Sequence, residues 1–268
     1  MKTGLIGFII NSEFRQNFVA FFIALTATYS IAYTSLQYVN SDNFGGNSDI
    51  LVYMAIARGE DVKSEVHRES RALTISIVKL LPDPPGFIFS PGRQVDDEWI
   101  LKFKFALTNS FFVFGTAFFM WLYSCRIGFS SLESYLVMLL FLTSLTVIYQ
   151  GVIPLVDPSA FFFIAAGVFA ISIRKIWLFA GVLAIGVFAK ESVGIIVPFA
   201  LITVTQHRIL WSVVSILVVL PYILWMFLLG ENEFVNLGHL DPSHIQNSIK
   251  IIPEYLRLNI AIEVMATF

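Results

Sequence analysis

Charge is what this sequence has little of. Asp, Glu, Lys and Arg make up 13% of its 268 residues, about half the share usual in a soluble domain. So few charges cannot coat a soluble surface. The apolar share of 57% and the mean hydropathy of +0.77 point the same way. Cysteine is nearly absent: Cys125 stands alone, which rules out an internal disulfide and leaves the redox compartment unread. There is no Asn-x-Ser/Thr sequon, no Walker loop, no His/Cys metal spacing and no glycine-rich dinucleotide fingerprint. Nucleic acid is not expected as a partner. A cleaved leader is not expected either, because the first apolar run follows sixteen residues that include Glu13 and Arg15. These absences leave an all-α, multi-pass membrane protein whose first span stays attached. The net charge of -2 adds little, since in such proteins the side on which charges fall matters more.

What is there is a series of apolar runs. Spans are expected at about Phe18–Tyr38, Phe103–Tyr123, Ser134–Gly151 and Leu210–Leu229, each close to the roughly twenty residues a bilayer requires. Trp99 suits a boundary anchor before the second. Between Asp157 and Arg208 the pattern changes. Charges interrupt the apolar chain at Asp157, Arg174-Lys175, Lys190-Glu191 and His207-Arg208, with about fourteen to sixteen residues in each interval. One long helix from Ile176 to Thr205 would leave Lys190-Glu191 near the bilayer centre, at about 2.5–3.5 kcal/mol for such a charge. Three short helices with turns at the charges avoid that. They also put Arg126, Arg174, Lys175, His207 and Arg208 on the inner side with Lys2 and Arg15, as the positive-inside rule favours. The expectation is therefore about seven membrane helices, several of them short, in a membrane domain over 1–229. The remaining 230–268 reads as an outer or interfacial tail. A helix is expected to start at Asp241-Pro242 and to kink or end at Pro253, and Leu256–Phe268 is too short to span.

The wet loop of about 39–102 carries the chemistry. Asn47 or Ser48 can cap a helix, putting Asp49 in its first turn, where the positive end of the helix dipole favours a carboxylate. Helical spacing puts Asp49, Tyr53, Ile56 and Glu60 on one face and Ile50, Met54 and Ala57 on the next, and Gly59 supplies a stop. The cations Arg58, Lys63, His67, Arg68 and Arg71 follow. A short interfacial helix is expected at Ala72–Leu81, and the prolines and glycines of Pro82–Gly92 exclude regular structure there. With the short-helix topology, Asp49, Asp157 and Lys190-Glu191 fall on one side of the membrane.

Four motifs, in order, resemble the GT-C superfamily of integral-membrane glycosyltransferases, the dolichyl-phosphate-mannose mannosyltransferases among them. They are Asp49-Ile-Leu-Val-Tyr53, Arg68-Glu-Ser-Arg-Ala-Leu-Thr74, Val156-Asp-Pro-Ser159 and Ala189-Lys-Glu-Ser192. The resemblance covers about Phe18 to Leu229; family members usually add more spans and often a C-terminal domain. It implies transfer of a sugar from a polyprenyl-phosphate donor to an acceptor on the outer side of the membrane, with inversion at the anomeric carbon. It implies Asp49 as general base or metal ligand, Arg71, Arg68 and Lys190 at the donor phosphate, and Tyr53, Asp157 and Glu191 lining the pocket. Any divalent metal ion would fall to Asp49 and Asp157. The bilayer and a polyprenyl-phosphate-linked sugar are then the partners, and the plasma (inner) membrane of a bacterium is the implied location.

Each of these residues has a plainer reading. Asp49 could be a capping aspartate in a solvated loop. The cations could be a solvated run cancelled by Glu60, Asp61, Glu65 and Glu69, although Arg71 abuts an apolar segment, nearest to where a lipid phosphate lies. Asp157 or Glu191 could pair with Lys190 and merely close the helix turns. Two other functions compete. A transporter or flippase of a lipid-linked substrate would show a duplicated half, and none is seen. A non-catalytic subunit of an envelope-assembly complex is the third reading.

Overall fold

Helix ends in this chain follow from local chemistry, and they fix the architecture. The computed structural model describes residues 12–38, 48–60, 71–85, 96–144, 147–148, 151 and 153–229. Every regular element among them is helical. They are α1 (Ser12–Tyr38), α2 (Ser48–Arg58), α3 (Ala72–Leu80), α4 (Asp97–Arg126), α5 (Ser131–Leu142), α6 (Asp157–Ser172), α7 (Ile176–Ala189), a 3-10 turn (Glu191–Ile195), α8 (Ile196–Thr203) and α9 (Arg208–Leu229). The chain divides into compact units Met1–Met226 and Phe227–Phe268. The expected tail helix at Asp241-Pro242, its break at Pro253 and the run Leu256–Phe268 lie outside the described residues.

Among the described residues three helices are long and apolar enough to cross a membrane: α1 over Arg15–Thr34, α4, and α9 over Arg208–Met226. The most apolar window of α4 is 67% buried, against 22% and 17% for α1 and α9. That makes α4 the central helix. Its aromatic faces divide the interior. Trp121, Phe114 and Val113 pack with Ala20 and Ala24 of α1 and Met138 and Leu142 of α5. Phe105 and Ala106 pack with Tyr53 and Met54 of α2 and with Ile75 and Val78 of α3. Phe112 joins Phe163, Leu183, Val193, Ile196 and Trp211 in the third cluster, built from the short helices and α9.

Residues 157–203 form short helices, not one long one. α7 stops at Ala189, and Lys190 is extended (φ -165°, ψ 139°) before the chain restarts as a 3-10 turn at Glu191. A continuous helix would carry both charges into apolar packing; the break releases them to the bundle's end. The sequence expectation for the third span needs correction. The apolar run predicts a span at about Ser134–Gly151, but α5 begins at Ser131 and ends at Leu142. Ser130 starts it early through a capping box with Glu133, whose Oε2 accepts from the Ser130 N–H at 2.7 Å. At the other end the Thr143 hydroxyl donates to the Leu139 carbonyl at 2.9 Å, and Ser144 opens a new turn by accepting from Val147 and Ile148.

The short helices pack closely because glycines let them. A Cβ on Gly186 would lie 2.7 Å from Val193 Cγ1 and 2.9 Å from Phe163 Cβ, whereas one on Gly181 of the same helix would meet nothing within 4 Å. Small residues at such crossings are how apolar helices approach in a membrane. Gly186→Ala should therefore destabilise the fold by about 1–3 kcal/mol through overpacking. Gly181→Ala should be neutral or stabilising by up to about 1 kcal/mol. Unfolding midpoints of the two variants in detergent check this: equal midpoints would refute the close α7 crossing.

Candidate functional site

The elements that carry the charged motifs end at the same level of the bundle. α2 stops because Gly59 takes φ +80°, letting Gly59 N–H reach the Ile56 carbonyl and Glu60 N–H the Ala55 carbonyl, each at 3.0 Å. Its Tyr53 side is 1% exposed, held against α3 and α4, and Asp49 sits half-buried in the first turn. Arg71 immediately precedes α3, and Asp157 opens α6 with Pro158 behind it. Lys190 and Glu191 occupy the break after α7.

Arg71 is the centre of this end. Its Nε donates to Glu191 Oε2 at 3.0 Å, its Nη2 donates to Glu191 Oε1, and its Nη1 donates to the Tyr53 hydroxyl at 2.9 Å. Residues 120 positions apart are thus joined by a two-toothed guanidinium–carboxylate pair. Among the described residues three of the five N–H donors of the guanidinium are taken, which leaves two. Beside it Lys190 Nζ pairs with Asp157 Oδ1. Lys190, which the resemblance puts at the donor phosphate, donates here to Asp157. Of the two structural pairings open to Lys190, Asp157 is taken, and Glu191 goes to Arg71.

The electrostatics follow from burial and pairing. Burial pushes the Tyr53 phenol up, Asp49 and Asp157 push it the same way, and Arg71 opposes them. Tyr53 therefore stays protonated. Burial disfavours the Arg71 cation, but its hydrogen bonds to Glu191 and Tyr53 more than offset this, and its pKa is raised. Burial likewise pushes the Glu191 carboxyl up, yet Arg71 and the residue's own backbone N–H hold it below the ordinary glutamate value. A group with a depressed folded pKa adds stability that is present above the unfolded value and lost as pH falls through the folded one. The wild-type protein should therefore lose stability below the ordinary glutamate range faster than Glu191→Gln. Parallel acid-unfolding curves for the two would refute this pairing. With the Glu191 side chain 43% exposed, the effect is modest.

The other expected residues fall as follows. Arg68, Lys63 and His67 lie outside the described residues. Glu60 is exposed and near Arg58, at 3.7 Å. Among the described residues no three His, Cys, Asp or Glu side chains converge. Asp157, one of the two metal-ligand candidates, is held by Lys190.

Sequence reasoning missed the struts beneath the site. Asn109, fully buried in α4, donates through Nδ2 to the carbonyls of Ile153 at 2.8 Å and Leu155 at 3.1 Å, fixing the irregular approach to Asp157. The Thr74 hydroxyl donates to Ser159 Oγ at 3.0 Å, and the Ser159 hydroxyl donates in turn to the Val156 carbonyl at 2.6 Å, so α3 is tied to the start of α6. An amide in the middle of an apolar span was the available signal for Asn109, since such groups find buried partners. Comparison with protein-family models, with curated proteins and with solved structures finds no match to the chain.

Proposed function

We propose that this chain is a membrane glycosyltransferase of the GT-C kind, moving a sugar from a polyprenyl-phosphate donor to an acceptor hydroxyl. In this reading seven helices are embedded: α1, α4, α5, α6, α7, the 3-10 turn with α8, and α9. The Asp49 end faces the outer side, in the plasma membrane of a bacterium. One observation carries the proposal. Residues from four separated motifs, Asp49 and Tyr53, Arg71, Asp157, and Lys190 and Glu191, gather at one end of the bundle around a single arginine fork.

The chemistry then divides among them. The acceptor oxygen attacks the anomeric carbon as Asp49 takes its proton, and the bond from that carbon to the phosphate oxygen breaks. Charge builds on the departing polyprenyl phosphate, where the two remaining N–H donors of Arg71 meet it. Glu191 and Tyr53 hold the fork still, and the Asp157–Lys190 pair fixes the turns that present it. Incubating the purified chain with a panel of polyprenyl-phosphate sugars tests the proposal by donor consumption, with Asp49→Asn as the control. No consumption from any donor in the presence of acceptor lipid and peptide would overturn it.

The two closed ion pairs also favour a second reading, a non-catalytic subunit of an envelope-assembly complex. There Arg71–Glu191 and Lys190–Asp157 only clamp helix ends. That reading expects charge-swapped pairs to restore full function. The enzyme reading does not, because a glutamate in place of Arg71 cannot hold a phosphate.

A further inference from the structure

The far end of the short helices is built differently. α6 runs 16 residues from Asp157, so its C-terminus lies about 24 Å from the cluster around Arg71. Here a cavity of about 610 Å³ opens between α4, α6 and α8, lined by Arg126 and Arg174 with Tyr123, Ser172 and Thr203. Arg174 makes one long hydrogen bond, Nη1 to Gln206 Oε1 at 3.4 Å, and among the described residues no carboxylate pairs with it or with Arg126. The nearest carboxylate along the chain from Arg126, Glu133, is engaged in capping α5.

A second, apolar cavity of about 350 Å³ continues along α4 and α6, lined by Phe119, Met120, Phe161 and Ile164. A cavity with two arginines therefore adjoins an apolar one across Tyr123 and Val168. The turn that places Arg174 is also informative. α2 and α4 end in the same pair of backbone hydrogen bonds, with Gly59 (φ +80°) and Gly128 (φ +101°) at the left-handed position. At the end of α6 that position is Arg174 (φ 54°), a conformation in which glycine sits without strain.

We propose that this pair of cavities holds one anionic phospholipid, its phosphodiester on Arg126 and Arg174 and an acyl chain in the groove between α4 and α6. Basic pockets between membrane helices bind anionic headgroups in this way. The proposal rests on the membrane reading of the chain but not on its being an enzyme. It is tested on the purified full chain in detergent, by titrating dioleoyl phosphatidylglycerol, dioleoyl phosphatidylcholine and inorganic phosphate. Native mass spectrometry counts bound lipid, and thermal midpoints follow stability. One phosphatidylglycerol should bind at least tenfold more tightly than phosphatidylcholine, and inorganic phosphate alone should leave the midpoint unchanged. Arg174→Gly should cut phosphatidylglycerol affinity at least tenfold while the lipid-free midpoint stays or rises, because the turn is relieved. Arg126→Gln should cut it similarly, and Lys175→Gln, outside the cavity, should not. Equal binding of the two lipids would overturn the proposal. So would wild-type affinity in Arg174→Gly, or a midpoint shift from phosphate alone as large as that from the lipid.

Discussion

Replacing Asp49 with asparagine should slow sugar transfer by roughly the 10²–10⁴ characteristic of a lost acid–base group. The substitution keeps the side chain's size and its capacity to accept a hydrogen bond. It removes the negative charge that draws the proton from the acceptor hydroxyl. Asp49 lies in the first turn of α2, half-buried, and its charge is felt at Tyr53. Folding should lose only the interaction of a first-turn carboxylate with the helix dipole, about 0.3–1 kcal/mol. Donor affinity should also hold, since Arg71 keeps Glu191 and Tyr53 in this variant. The check is single-turnover transfer alongside donor binding. An Asp49→Asn protein that transfers at the wild-type rate would leave the scaffold or transporter readings standing. A rate loss matched by an equal loss of donor affinity would move Asp49 from base to ligand-holder.

The parts of this site that could be read from sequence are those whose cause is local. Gly59 bounds α2 because a left-handed residue is required at its end. The break at Lys190 was legible for another reason: an ion-forming pair within an apolar run has nowhere stable to go except a turn. The partners across the site were not legible. Glu191 had Lys190 beside it in sequence, yet the extended backbone at Lys190 sends its ammonium to Asp157 and leaves the carboxylate to Arg71. Only the packing of α3 against α7 makes that choice. The short α5 was hidden for the opposite reason. Thr143 and Ser144 look like ordinary small residues of a span, and their hydroxyls turn the chain only by bonding to its own backbone.

Arg71→Lys separates the fork from the charge. The side chain of Arg71 is 11% exposed and makes three hydrogen bonds in one plane, two to Glu191 and one to Tyr53. An ammonium is a point charge that cannot reproduce this planar set and also face a phosphate. Each hydrogen bond involving a charged group contributes about 1.5–3 kcal/mol. Loss of one such bond to the donor phosphate corresponds to roughly a ten- to 150-fold rise in donor Kd. Departure of the phosphate should slow in the same variant, so kcat and donor affinity fall together, unlike in Asp49→Asn. Glu191→Gln gives the necessary comparison, because it keeps the guanidinium but weakens its anchor. If Glu191 acts through Arg71, the double variant should be no worse than Arg71→Lys alone, a non-additivity expected of groups in contact. If Glu191 and Arg71 only clamp helix ends, the two losses should appear in the unfolding midpoint, with donor affinity untouched. Donor titrations and melting curves on the four proteins decide between these outcomes.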